Sequence, residues 1–310
     1  MSDKQPNKTP LVSVIIPNYN HARYLEQRLN SVFNQTYQNF EVIILDDCST
    51  DNSLEVINRY KDNPHLSQIV VNETNSGSTF KQWNKGIHLA KGEVVWIAES
   101  DDYCELNMLE ELVKVMVKKD CVLAFSSCVI ADERGVHASK THGTYYYSGR
   151  DFVSKWMSTG CIVSNASGAI FKRSALSHIS DDYMQYKQCG DYMFWTMIAG
   201  QGKIAYVNKN LTYWRIYNAS VTPKNISSGI FAYENKRIYD YIDTHYRMSY
   251  LHKQIAMAIH AERYRHSSFA SEQIRNEVMQ YWRLEKRNPR VDKALSWIFN
   301  KSRTYLHILL

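Results

Sequence analysis

"LVSVIIPNYN", residues 11–20, opens with six residues that are apolar except for Ser13, then turns polar at Pro17-Asn18-Tyr19-Asn20. A run this short and this rich in Val and Ile predicts a buried strand rather than a helix, because helical apolar positions would recur every three or four residues. The residues beyond it decide the fold class. Leu25, Leu29, Val32 and Phe33 recur at helical spacing, and "FEVIIL" (40–45) is a second strand. "SQIVV" (67–71), a helix over "TFKQWNKGIHLAKG", and "EVVWIA" (93–98) continue the alternation. Leu106, Leu109, Leu112, Val113, Met116 and Val117 then mark a helix, and "CVLAFSSCVIA" one or two strands. Strand and helix in strict turn predict an α/β domain: a Rossmann-like, mainly parallel sheet flanked by helices.

Asn52 followed by Glu55 fits a capping box opening "SLEVINRY". "SGAIFKR" and "GKIAYV" read as further strands with a helix at "DYMFWTMIAG" between them, and from residue 228 the pattern is helical only. The expected organisation is a short N-terminus (1–10), a catalytic domain (11–227) and a helical basic C-terminal extension (228–310).

At 310 residues and 44% hydrophobic content the chain can bury a sizeable core. No apolar run of 18 residues occurs and "MSDKQPNKTP" lacks the apolar centre of a signal peptide, so a cytoplasmic protein is expected. Cys48, Cys104, Cys121, Cys128, Cys161 and Cys189 show no metal-finger spacing and read as free thiols. The formal charge of +6 collects after residue 230, where 14 Lys and Arg face 8 Asp and Glu. "WIFNKSRTYLHILL" is basic and amphipathic there. It reads either as a peripheral contact with the inner face of a membrane or as a helix packing on its own domain or on a second subunit of a homodimer. No nucleic-acid motif accompanies the charge, so nucleic acid is not an expected partner.

The chemistry collects where apolar runs end. The first run exits into Pro17, Asn18, Tyr19 and Asn20; the second into Asp46, Asp47 and Asp51; the fourth into Glu99, Asp101 and Asp102. Ligands of open α/β sheets bind outside the carboxyl ends of the strands, so these exits share one crevice. Clustered carboxylates without His or Cys suit a hard cation, Mg²⁺ or Mn²⁺, completed by substrate phosphates. Tyr19 can stack on a base and Asp47 can accept from a base N–H. Neither glycine-rich phosphate loop is present, which leaves a metal and side chains to hold a diphosphate.

Together, "VSVIIPNYN", "FEVIILDDCSTDNS", "NSGS", "GEVVWIAESDDY" and "GDYMFW" resemble the family 2 glycosyltransferases of the GT-A fold. The resemblance covers residues 11–220. It implies an inverting, metal-dependent transferase that moves a sugar from a UDP-sugar donor to a saccharide or lipid-linked saccharide acceptor, in surface polysaccharide or glycan synthesis. It implies that Pro17, Tyr19 and Asn20 line the base pocket, that Asp47 reads the uracil edge, and that Lys81 reaches the nucleotide or its phosphates. Asp101 and Asp102 match the end of the metal motif, with Asp102 the direct ligand and Glu99 where the first acid stands. Asp191 matches the catalytic base, and Ser167 and Gly168 lie beside the donor sugar.

Two departures stand out. Tyr217 replaces the histidine of a late "R-x-H" loop, and the "Q-x-x-R-W" element of processive members is missing, which implies one sugar per encounter. Two other readings compete: a nucleotide-binding protein of the same fold without turnover, and a receiver-like phosphoacceptor domain, which "VIILDDCSTD" resembles locally.

Overall fold

The structure is a computed structural model that describes residues 9–132, 135–137, 143–216 and 226–305. Its contacts divide the chain into two units. Met1–Tyr146, Asn165–Asp181 and Lys203–Ile216 make the first; Tyr147–Ser164, Asp182–Gly202 and Tyr217–Leu310 make the second.

The first unit holds a mixed sheet. Its strands are β1 (Val12–Asn18), β2 (Phe40–Asp46), β3 (Leu66–Val71), β4 (Val94–Ile97), β5 (Tyr103–Cys104), β6 (Cys121–Asp132), β7 (Gly135–His137), the first part of β8 (Thr144–Ser148), β9 (Ala169–Lys172) and β10 (Lys203–Arg215). They lie in the order β3-β2-β1-β4-β9-β6-β10-β5, with β7 beside β6 and β8 beside β10. β3, β2, β1 and β4 are mutually parallel, as are β6 and β10. β9 runs antiparallel to both β4 and β6 and joins the two parallel blocks.

Alternation along the strands divides the two faces of the sheet. Val12, Val14, Ile16, Val42, Ile44 and Trp96 share one core with Leu25, Leu29 and Val32 of α1 (Ala22–Phe33), Val56 and Ile57 of α2 (Ser53–Asn58), and Leu109, Leu112 and Met116 of α4 (Met108–Lys119). α3 (Thr79–Leu89) covers the opposite face. There, a Cβ on Gly86 would sit 2.3 Å from Ile15 Cγ2, so only glycine lets this helix approach so closely. Helices thus shield both faces, which is why β1 and β2 can be apolar without interruption.

The capping box does not form, for Asn52 makes no side-chain cap. Asp51 does the work instead: it accepts the Ala22 N–H at 2.9 Å and the Ser53 N–H at 3.0 Å, so one carboxylate serves the amino ends of both α1 and α2. A charged acceptor next to two helix dipoles outcompetes a neutral amide one residue on.

The second unit is helical: α5 (Gly149–Lys155), α6 (Gly190–Ala199), α7 (Ile230–Tyr246), α8 (Tyr250–Arg265), α9 (Glu272–Tyr281) and α10 (Pro289–Tyr305). Its core centres on Trp282, fully buried, whose indole N–H donates to the Ala232 carbonyl at 2.9 Å and whose ring meets Tyr239, His260 and Tyr264. α10 is fastened by Asp292, 1% exposed, which receives Arg265 and Arg287. The contacts therefore group 147–164 and 182–202 with the C-terminal helices, whereas the sequence pattern places the break near residue 228. No described helix is long and apolar enough to cross a membrane. All six cysteines are free thiols.

Candidate active site

From β1 the chain steps to β2 and β3 on one side, then crosses back to β4 on the other. The carboxyl ends of β1 and β4 therefore flank the point where strand order reverses. β1 also outlasts β4. Its pairing with β4 ends at Ile15 and Ile97, while its pairing with β2 runs on to Asn18 and Asp46. Ile15 and Pro17 face the β4 side, so the missing N–H of Pro17 falls where no strand remains to receive one. Across this gap His21 Nδ1 and Ser100 Oγ stand 2.8 Å apart and link the two exits.

Tyr19 is 46% exposed at the β1 exit. Pro17, by contrast, is buried within the strand. Asn20 adopts φ 55°, which an asparagine tolerates well. Its Oδ1 accepts the Thr50 N–H at 2.7 Å while its own N–H donates to Ser49 Oγ at 2.9 Å, which ties the β1 exit to the β2 exit.

Asp47 is 4% exposed. Its Oδ1 accepts from Asn72 Nδ2 (2.5 Å), the Ser76 N–H (2.9 Å) and Gln82 Nε2 (2.9 Å), and its Oδ2 accepts from Ser76 Oγ (2.7 Å). This carboxylate organises the loop between β3 and α3, and Oδ2, with one donor, keeps the spare lone pair. Lys81 is exposed on α3 and donates to the Ser76 carbonyl at 3.2 Å.

The acids after β4 sit differently. Asp102, 2% exposed, accepts from Asn165 Nδ2 (2.9 Å) and Ser167 Oγ (2.7 Å) at Oδ2, while Oδ1 has only the Arg215 N–H at 3.3 Å. Burial, with the Asp101 charge next to it, pushes its carboxyl up to about 6. Glu99 receives the Trp83 indole N–H at 2.6 Å, yet burial and Asp101 push it up to about 8. Arg215 Nη1 donates to the Asp101 carbonyl at 2.5 Å, and its guanidinium lies between the rings of Tyr24 (4.9 Å) and Tyr103 (4.7 Å).

These residues fit a hard divalent cation. Oxygen donors predominate, Oδ1 of Asp102 is barely engaged, and a cation is what two crowded carboxylates would gain from most. Asp101 and Asp102 would hold it. Among the described residues no three His, Cys, Asp or Glu side chains make a ready metal cage, so the rest of the shell would come from water and phosphate oxygens.

Asp191 belongs to the second unit, in the first turn of α6. Of the ten residues of that helix it alone is half-buried rather than fully buried, so an otherwise apolar helix presents one acid at its amino end. Its Oδ1 accepts the Tyr192 N–H at 2.7 Å, and burial pushes the carboxyl up to about 6. Tyr217 lies outside the described residues.

Sequence reasoning missed Arg28, Asn165 and the full part of Ser167. Arg28 is fully buried, donates from Nε to the Glu99 carbonyl at 2.8 Å, and its charge partly offsets the burial and the Asp101 repulsion that raise Glu99 and Asp102. Ser167 touches three elements of the site: its Oγ donates to Asp102 and accepts the Glu99 N–H at 3.1 Å, and its carbonyl accepts the Trp96 indole N–H at 2.9 Å. Gly168 beside it has Thr212 Oγ1 2.9 Å from where a Cβ would stand. The available signal was the place of Arg28 by helical spacing on the apolar face that carries Leu25, Leu29 and Val32.

Residues 13–180 match the family Glycosyl transferase family 2. The chain belongs to that family and is a glycosyltransferase, and its helix-flanked sheet is a GT-A fold. It is 29% identical over 217 residues to a putative teichuronic acid biosynthesis glycosyltransferase, TuaG, of Bacillus subtilis, covering 70% of this chain and 83% of that one. It is 33% identical over 158 residues to the glycosyltransferase GlyG of Streptococcus pneumoniae, 51% of this chain and 50% of that one. Among solved structures, S. aureus TarS 1-349 in complex with UDP superposes with a TM-score of 0.62 at 25% identity, over 82% of this chain and 71% of that one. A receiver-like domain is thereby set aside, and β9, antiparallel between β4 and β6, has no place in an all-parallel receiver sheet.

Proposed function

We propose that the protein is an inverting, metal-dependent, non-processive glycosyltransferase that moves a sugar from a UDP-linked donor to a saccharide or lipid-linked saccharide during cell-surface polysaccharide synthesis. The observation that carries this reading is the meeting of Tyr19, the Asp47 loop and the Asp101–Asp102 pair around the reversal point of the sheet. The similarity to a TarS structure holding UDP supports the donor, and the similarity to a teichuronic acid enzyme supports the pathway class.

In this reading Tyr19 stacks on the uracil, Asp47 accepts a base N–H at Oδ2, and Lys81 offers its charge to the diphosphate. Asp101 and Asp102 would hold Mg²⁺ or Mn²⁺, which supplies Lewis-acid neutralisation of the leaving diphosphate. Asp191 takes the proton of the attacking hydroxyl. With a carboxyl near 6 it is ionised at neutral pH and still basic enough to work. One displacement inverts the anomeric carbon. The outward side of α10 bears Trp297 (60% exposed), Ile298 (55%) and Val291 (52%) beside Arg290, Lys293 and Lys301, a composition suited to an anionic lipid surface near a lipid-linked acceptor.

The test is a thermal melt with UDP, GDP and ADP, each with and without Mn²⁺. Stabilisation by UDP that needs the metal is expected, and indifference to every nucleotide would sink the reading. Vesicle sedimentation with phosphatidylglycerol against phosphatidylcholine tests the lipid contact; equal recovery with both removes it.

A further inference from the structure

The segment that launches α6 is held by a residue far along the chain. Glu234 of α7, 7% exposed, accepts the Lys187 N–H at Oε1 (2.7 Å) and the Gln188 and Cys189 N–H groups at Oε2 (2.9 and 2.8 Å). Three consecutive backbone donors on one buried carboxylate are a built arrangement, because a buried N–H left without an acceptor keeps its full desolvation penalty. α7 grips the same stretch at other points. Arg237 lies 4.5 Å from the Tyr186 ring centroid, and Cys189 Sγ reaches the Phe231 carbonyl at 4.0 Å and Asn235 Oδ1 at 3.9 Å. Two residues beyond Cys189 stands Asp191.

We infer that Glu234 is a positioning residue for sugar transfer: by gathering the 187–189 amides it fixes the amino end of α6 and so the direction in which Asp191 presents its carboxylate. The inference rests on Asp191 being the base. A base displaced by a fraction of an ångström loses alignment with the hydroxyl it serves, although nothing in Glu234 touches substrate.

Glu234 has an electrostatic part as well. The titratable groups around Asp191 are Cys161 from the loop after α5, Cys189, Tyr192 and Glu234. Burial pushes both thiols and the phenol up, so they stay neutral, and the Glu234 charge is what raises Asp191 beyond the effect of burial. Replacing that charge by an amide lowers the Asp191 pKa and moves the acidic limb of the activity profile to lower pH. Loss of structural support alone would leave that limb in place.

The experiment measures UDP release by the full chain with Mn²⁺, an acceptor pool of bacterial lipid extract, and UDP-GlcNAc, UDP-glucose and UDP-galactose as donors; the fastest donor is carried forward. Glu234→Gln should lower kcat about 10- to 100-fold with donor KM nearly unchanged, and should shift the acidic limb downward. Wild-type kcat with an unshifted limb overturns the inference. If Glu234→Gln does not fold, Glu234→Asp decides: the charge is kept with a shorter reach, so kcat should fall while the limb stays, and wild-type kcat again overturns it. Asp191→Asn separates the two readings. If it retains full activity the base assignment itself fails; if it is inactive while the Glu234 variants behave as wild type, only the positioning role fails.

Discussion

Two acid pairs follow two apolar strands of one sheet, and they have been given opposite surroundings. Asp46 and Asp47 at the end of β2 are met by donors: Asp46 by Asn18 Nδ2 and the Ser49 N–H, each at 2.8 Å, and Asp47 by Asn72, Ser76 and Gln82. Asp101 and Asp102 after β4 are crowded by each other and by Glu99, and two of the three stand well above the usual carboxylate range. The first pair spends its charge on holding loops in place. In the second, Asp102 also accepts from Asn165, Ser167 and the Arg215 N–H, yet burial and the neighbouring charge outweigh those donors and keep its carboxyl high. Adjacent acids in sequence thus say little about function until the donors around them are counted.

The sharpest way to break this contrast is Asp102→Asn. If Asp102 holds the metal as proposed, transfer should fall on the order of 100-fold or more, because several kcal/mol of leaving-group stabilisation would go with that ligand. The metal-free protein, however, should melt no lower than wild type, since a neutral isostere relieves the crowding; a clear loss of Tm would put Asp102 in the same class as Asp47. Arg28→Met comes next. Removing the buried cation beneath Glu99 should destabilise the fold by about 3 kcal/mol, seen in urea unfolding, and unchanged stability would mean the acids manage without it. Asp47→Asn should cost about 1–2 kcal/mol and weaken UDP binding, measured by melts and calorimetry; a rise in stability would erase the contrast from the other side. Ser167→Ala is the mildest, about 1 kcal/mol, with a weakened response to Mn²⁺ and an unaltered response of the Asp47 loop to nucleotide.

Much of the N-terminal half was legible because its cues are local. β1, β2 and β4 are apolar runs closed by polar residues, and Leu25, Leu29 and Val32 announce their buried face by spacing alone. The acids at the strand exits were visible for the same reason. The direction of β9 was not, since four residues, Ala169–Lys172, carry no mark of whether they run with or against their neighbours. Arg28 falls on the Leu25–Leu29 face by spacing, but only the Glu99 carbonyl across the fold shows why a charge is buried there. Glu234 looks like any acid on an amphipathic helix until the three amides it collects, 45 to 47 positions earlier, are known. Asn52 was a sound cap by pattern and lost to its neighbour Asp51, because the N–H of α1 that Asp51 also serves comes from 29 residues away.

β9 has a consequence for the order in which the molecule matures. The turn just before it delivers Asn165 and Ser167 to Asp102 over separations of 63 and 65 residues. Those partners are made only after β1, β2 and β3, whose pairings span 24 to 28 residues, are already complete in the growing chain. A chain leaving the ribosome can therefore complete the loops at the β1 and β2 exits before Asp102 has partners. On the proposed reading, the grip on a diphosphate matures after the nucleotide pocket, so an unfinished chain would recognise a donor without being able to use it.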